Sequence, residues 1–219
     1  MKPTPRHSAG PADPLREEVR RSSARTSQGV AAVEAFDRAR DLLERGRDGA
    51  AVQAAVEARA LVPRSGAARE LLGLALYRTG RYRDALRELQ AYRRITGRQD
   101  QNHLMADCYR ATGAPEKAVP LVQEAMRSRI GEEARAESAV VGAAALADLG
   151  RYTEAIGLLR SVATNPKLAR PWDLRVWYVA GDVLERAGRA KEAAEEFRRV
   201  VRHDSGAYDA AERLAALGG

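Results

Sequence analysis

A short phrase recurs along this chain: Gly80-Arg81-Tyr82-Arg83-Asp84-Ala85, Gly113-Ala114-Pro115-Glu116-Lys117-Ala118, Gly150-Arg151-Tyr152-Thr153-Glu154-Ala155 and Gly188-Arg189-Ala190-Lys191-Glu192-Ala193, with Gly46-Arg47-Asp48 as a shorter first instance. Its glycines are 34, 33, 37 and 38 residues apart. A period in this range marks stacked units, none of which can bury its apolar face without a neighbour. Such an array presents a long surface to partners rather than a closed pocket for chemistry.

The residues around the phrase have helical spacing. Leu71, Leu72, Ala75 and Leu76 form one apolar stripe before Gly80. Tyr82, Ala85, Leu86 and Leu89 form a second stripe after it. Gly80 stands where a chain takes a left-handed turn without a Cβ penalty. Each unit therefore reads as helix, tight glycine turn, helix. The remaining pairs are 30–45 with 48–62, 100–112 with 115–130, 132–149 with 152–164, and 173–187 with 190–203. Pro63 and Pro166 mark the exits of second helices. A closing helix over 207–217, apolar at Ala210, Leu214 and Leu217 and polar at Asp209, Glu212 and Arg213, is expected to cap the array.

Composition agrees with such a core. Hydrophobic residues make up 45% of the chain and aromatics only 5%, so the core must be Ala, Leu and Val. No apolar run is long enough to span a membrane. The N-terminus has no apolar segment of the kind a secretory signal needs. The single cysteine, Cys108, excludes an intramolecular disulfide and is compatible with a reducing cytosol. Residues 1–28, rich in Pro, Arg and Ser, read as a disordered basic tail, with a short helix after Pro14 as an option because Glu17 and Glu18 would suit its N-terminal dipole. The net charge is +7, yet only four of the 37 basic residues are lysine. Acids and bases are interspersed, and the Ala-, Arg- and Gly-rich composition is what a GC-rich genome produces. No basic block is long enough to be diagnostic of nucleic acid.

The arrangement resembles the tetratricopeptide repeat family over nearly everything after residue 31. Residues 66–99 carry Leu72-Gly73, Gly80, Tyr82, Ala85 and Leu89. The third unit carries Tyr109, Gly113, Ala118 and Ala125; the last, the fullest match, carries Trp177, Ala180-Gly181, Gly188, Ala193 and Phe197. The first carries Ala39, Leu42, Gly46, Ala51, Ala58 and Pro63. Gly73 and Gly181, mid-helix, cost about 1 kcal/mol each relative to Ala. They make sense where another helix backbone comes close. The expected fold is all-α: a right-handed superhelical solenoid over 29–219 with repeats near 32–65, 66–98, 99–132, 136–169 and 174–207. The longer third and fourth steps predict irregular curvature near 128–136 and 164–172, and Pro120 predicts a kink or a delayed helix start. The pentatricopeptide repeat, which reads single-stranded RNA, is a related pattern. The Gly-Arg-Tyr turns and Leu-Gly pairs favour the protein-binding family.

No phosphate loop, dinucleotide fingerprint, nucleophile elbow or zinc-protease motif is present. His103 and Asp107 lie four apart with Cys108 adjacent, but a metal would need further ligands and none is apparent, so no metal, cofactor or catalytic residue is expected. Cys108 is expected to pack as a small hydrophobe, Trp177 in the core, and Trp172 as a staple of its loop, with an exposed anchor as the alternative. The family resemblance places the first helices of successive units along a concave groove. By register its ligand-facing positions are Arg40 and Leu43; Glu70, Leu74, Tyr77 and Arg78; His103, Asp107 and Arg110; Val140, Ala144 and Asp148; and Tyr178, Asp182, Glu185 and Arg186. One subgroup grips a C-terminal carboxylate with Lys and Asn; Glu70, Leu74, His103 and Asp107 stand at those positions here and form no such clamp. The reading is a cytoplasmic, non-enzymatic scaffold that binds a protein or peptide in this groove. The alternative is RNA or ribosome association through the Arg-rich tail, and no residue pattern commits to an oligomeric state.

Overall fold

The computed structural model describes residues 13–23 and 25–218, and among them there are twelve α-helices and no strand. They fall into two compact units. The first, through Gly97, holds α1 (Pro14–Arg21), α2 (Thr26–Glu44), α3 (Asp48–Leu61), α4 (Gly66–Arg78) and α5 (Tyr82–Thr96). The second, from Arg98, holds α6 (Asn102–Ala111), α7 (Pro115–Arg127), α8 (Glu132–Asp148), α9 (Tyr152–Arg160), α10 (Pro171–Arg186), α11 (Ala190–His203) and α12 (Ala210–Ala216). Helices α2 to α11 form five hairpins. Within each unit every hairpin packs on the next, and first helices touch: α2 on α4, α6 on α8, α8 on α10.

The recurring glycine closes each hairpin in one way. At Gly80 the backbone is left-handed, with φ of 72°. Its N–H bonds to the Tyr77 carbonyl at 3.0 Å and the Arg81 N–H to the Leu76 carbonyl at 2.9 Å. These are the two bonds of a Schellman helix stop. The pair recurs at Gly46, Gly113, Gly150 and Gly188. In three hairpins the next arginine then grips an acid of the second helix's first turn: Arg81 with Asp84, Arg151 with Glu154, Arg189 with Glu192. The arginine hydrogen bond holds each of these carboxyls below its usual pKa.

The core fits small residues of one helix against large residues of its partner. Ala51, Ala85, Ala118, Ala155 and Ala193, five residues after each hairpin glycine, are fully buried. A Cβ on Gly181 would meet the Phe197 ring at 2.7 Å, and one on Gly73 would meet the Leu89 side chain at 2.8 Å. What comes close to these glycines is thus chiefly a side chain of the second helix, not its backbone. Gly142 in α8 does the same for Val122 and Leu158. In unit two the largest core cluster gathers Leu146, Leu159, Trp177, Leu184, Phe197 and Val200.

Several boundaries differ from the sequence reading. Residues 1–12 and 24 of the expected tail lie outside the described residues; beyond Pro14 the structure holds the short helix that the sequence offered as an option, in place of a disordered segment. Asp13 caps α1 by accepting from Leu15 N at 2.9 Å, Pro14 opens the helix, and Val19 is fully buried. Helix α2 begins at Thr26, before the expected boundary. The long third step is absorbed by a 17-residue α8. The fourth is absorbed by a nine-residue α9 that stops at Arg160, and by the irregular segment after it. Pro120 lies inside α7 without delaying its start at Pro115. The closing helix is shorter than 207–217, though Leu214 and Leu217 do pack on the core. Trp177 is buried as expected, and Trp172 packs against the same cluster with the Arg170 guanidinium 4.9 Å above its ring.

Gly80→Ala forces a Cβ into the left-handed region and should destabilise the chain by about 1–2 kcal/mol. Gly157, exposed inside α9 with nothing within 4 Å of a Cβ, should behave oppositely, Ala stabilising by about 1 kcal/mol. Urea unfolding of the two variants beside wild type measures both signs.

Candidate functional site

One concavity of unit two is built by first helices. Asp107 and Arg110 come from α6, Val140, Val141 and Ala144 from α8, and Arg175, Tyr178 and Val179 from α10, with Tyr208 closing one end. Together they line a cleft of about 440 Å³. Three valines and Ala144 give it an apolar floor. Tyr178 and Tyr208 stack at one wall with ring centroids 4.4 Å apart. Tyr208 has a φ of 57°, the one left-handed residue other than glycine among the described residues. A bulky residue held there stores about 1–3 kcal/mol of strain, which persists only where surroundings over-determine it. The Tyr208 ring stacks on Tyr178, the one ring contact among the described residues that accompanies this conformation.

The polar groups beside the cleft are paired with one another. Arg110 donates to Asp107 at 3.0 Å and to Asp148 at 3.2 Å. Asp148 also accepts from Arg186 at 3.2 Å, and Arg186 lies 3.9 Å from Asp182. Asp182 accepts from Arg213 at 3.0 Å, and Arg213 also donates to Glu185 at 2.7 Å. The Tyr178 hydroxyl donates to Asp209 at 2.7 Å. This ladder runs along α6, α8, α10 and α12. Burial, then the bond to Asp209, raises the Tyr178 pKa. Burial opposes the Arg213 charge, yet its bonds to Glu185, Tyr178 and Asp182 raise its pKa further. Arg175 lies 3.2 Å from Glu137, whose pKa burial raises despite that partner.

Of the sequence candidates in unit two, Asp107, Arg110, Val140, Ala144 and Tyr178 share the cleft, with Val140 almost wholly buried in its floor. Asp148, Asp182, Glu185 and Arg186 belong to the ladder. His103 is outside the lining. Its Nδ1 is 2.9 Å from the Asp100 carbonyl, and burial lowers its pKa. In unit one, Arg40 pairs with Asp13, and Arg78 donates to the Leu43 carbonyl at 3.0 Å. Tyr77 meets Tyr82 edge-on at 5.8 Å, Glu70 and Leu74 are half-buried, and Leu43 is buried. Sequence reasoning missed Val141, Arg175, Val179, Tyr208 and Arg213. Val141 and Val179 carry a signal, since both stand nine residues before a hairpin glycine. Helical period makes Arg213 an outward polar position; instead its guanidinium bonds Asp182 and Glu185 of α10 and lies 4.6 Å from the Phe197 ring of α11.

Burial, with Asp107 beside it, pushes the Cys108 thiol up to about 12, so it is protonated at neutral pH. Among the described residues no group of His, Cys, Asp and Glu could hold a metal ion. No helix among them is long and apolar enough to cross a membrane.

The tetratricopeptide repeat model matches residues 36–100 and 142–210. The chain belongs to the tetratricopeptide repeat family. It is 30% identical over 174 residues to the Vi polysaccharide export protein VexE of Salmonella typhi, a match covering 77% of this chain but 23% of that protein. Among solved structures it is similar to TTC0263, a tetratricopeptide repeat protein of Thermus thermophilus, with a TM-score of 0.65, 17% identity, and coverage of 85% of this chain and 98% of that one. It is also similar to YrrB, described as having an unusual peptide-binding site, with a TM-score of 0.56, 18% identity, and coverage of 83% and 90%. These two likenesses establish the fold alone. The family and fold are those of protein-interaction scaffolds, which are in general not catalytic.

Arg213→Ala removes the pin between α12 and α10 and should cost about 1–2 kcal/mol from lost cation–π and charged hydrogen bonds. Arg213→Lys should recover less than half, because an ammonium lacks the planar fork. Chemical unfolding with hydrogen exchange on residues 210–216 measures both.

Proposed function

We propose that this chain is a cytoplasmic, non-enzymatic adaptor whose unit-two cleft takes a short peptide or helix. The observation that carries this reading is the cleft itself: apolar floor, stacked tyrosine wall, and a rim whose charges already have partners. A rim of paired charges does not favour a strongly acidic or basic ligand. It suits one large apolar or aromatic side chain seated on Val140, Ala144 and Val179, with a neutral or mixed-charge flank. The single buried cysteine supports the compartment. The nucleic-acid reading draws little support from the tail's described bases, because three of the four already have acidic partners: Arg16 pairs with Asp37, and Arg20 and Arg21 with Glu17.

Ala144→Arg fills the cleft from a half-buried position and should leave the fold standing. Peptide-array and tagged pull-down capture by this variant should fall at least about tenfold, a loss of about 1.4 kcal/mol. Capture equal to wild type, with an unchanged circular dichroism melt, would remove the cleft from the function.

A further inference from the structure

Helix α1 packs on α2 and α4, the two first helices of unit one, rather than on the second helices. Its contacts are specific in order. Asp13 pairs with Arg40, and Arg16 lies 2.9 Å from Asp37. Glu18 accepts from Ser65 Oγ at 2.7 Å, Gly66 N at 3.1 Å and Ala67 N at 3.2 Å. A carboxylate so placed satisfies the unpaired N–H groups at the start of α4 and complements its dipole. Val19 is fully buried beside it.

The register of the α2 residues gives this packing its meaning. Arg40 stands six residues before the hairpin glycine, as do Asp107 and Ala144 in the cleft of unit two. Asp37 stands nine before it, as do Val141 and Val179 in that cleft. Helix α1 therefore covers in unit one the helix positions that line the cleft in unit two. It does so as a separate short helix with only a few residues between it and α2. An isolated helix of eight residues is marginal in water, so α1 owes its order to this seat.

We propose that α1 is a tethered occupant of a helix-binding site on the α2–α4 face, and that α1 competes there with a partner helix of the same chemistry. That chemistry is an acidic residue for Arg40, a base for Asp37, a carboxylate for the α4 N-terminus, and a β-branched apolar residue for the pocket of Val19. A short tether gives α1 an effective concentration on the order of millimolar. The site is masked from any helix that binds it more weakly than this.

The test uses the full chain and a fluorescein-labelled peptide of residues 13–23, read by fluorescence anisotropy. Glu18→Gln with Val19→Asp should release α1, seen as fast hydrogen exchange over residues 14–21. The opened protein should then bind the peptide at least tenfold more tightly than wild type does. The same peptide carrying Glu18→Gln should bind the opened protein about tenfold more weakly, and Arg40→Glu in the opened protein should lower binding similarly. If the double variant loses helix content throughout, Glu18→Gln alone serves, with a smaller gain in the same direction. Equal binding to wild type and opened protein, or no binding to a protein whose α1 is released, would overturn the proposal. Concentration-dependent dimers of wild type, dissolved by the free peptide, would assign the seat to a second copy and overturn it equally.

Discussion

The fit of large side chains on second helices against small residues on first helices is the interaction on which the rest of the structure depends. Gly73 receives Leu89 and Gly181 receives Phe197. Close approach of this kind keeps a core continuous when aromatics are scarce, because tight interdigitation replaces sheer side-chain area. It also spends only one stripe of each first helix. The opposite stripe is left as a surface, and the cleft and the seat of α1 are both built on that surface.

Charge on that surface follows from the same arrangement. First helices lie side by side within a unit, so residues at one register meet across α6, α8 and α10. Arg110, Asp148 and Arg186 alternate in sign from helix to helix, with Asp107 beside Arg110 on α6. Each such pair contributes little where it is exposed. Their joint effect is on specificity, because a ligand's own charges meet groups that already have partners, and a mispaired charge there is costly. In unit one, Arg40 and Asp37 are partnered instead by α1, a segment of the same chain.

The hairpins were legible because each carries its own punctuation: a glycine that alone tolerates the left-handed stop, an alanine five residues on, and apolar stripes at helical spacing. Asp107, Arg110, Ala144 and Tyr178 followed from register and do line one cleft. What escaped depends on contacts distant in sequence. A short helix after Pro14 was one option in the sequence, but what orders it, Glu18 meeting Ser65 and the buried Val19, was not. Tyr208 sits in a loop with a backbone conformation that no local pattern announces. Arg213 looks outward by helical period, yet its long side chain folds back to Phe197, Asp182 and Glu185. Irregular spacing was visible at the third and fourth steps, whereas its division between a long α8 and a short α9 was not.

The most direct test of the small-for-large packing is a double-mutant cycle on Gly181 and Phe197, with unfolding free energies from urea titration. Gly181→Ala should cost about 1–3 kcal/mol against wild-type Phe197, because the added methyl meets the ring. In a Phe197→Leu background the same change should cost at least about 1 kcal/mol less, since the shorter side chain leaves room. Costs that add within about 0.5 kcal/mol would contradict the account, because sites without a shared contact behave additively.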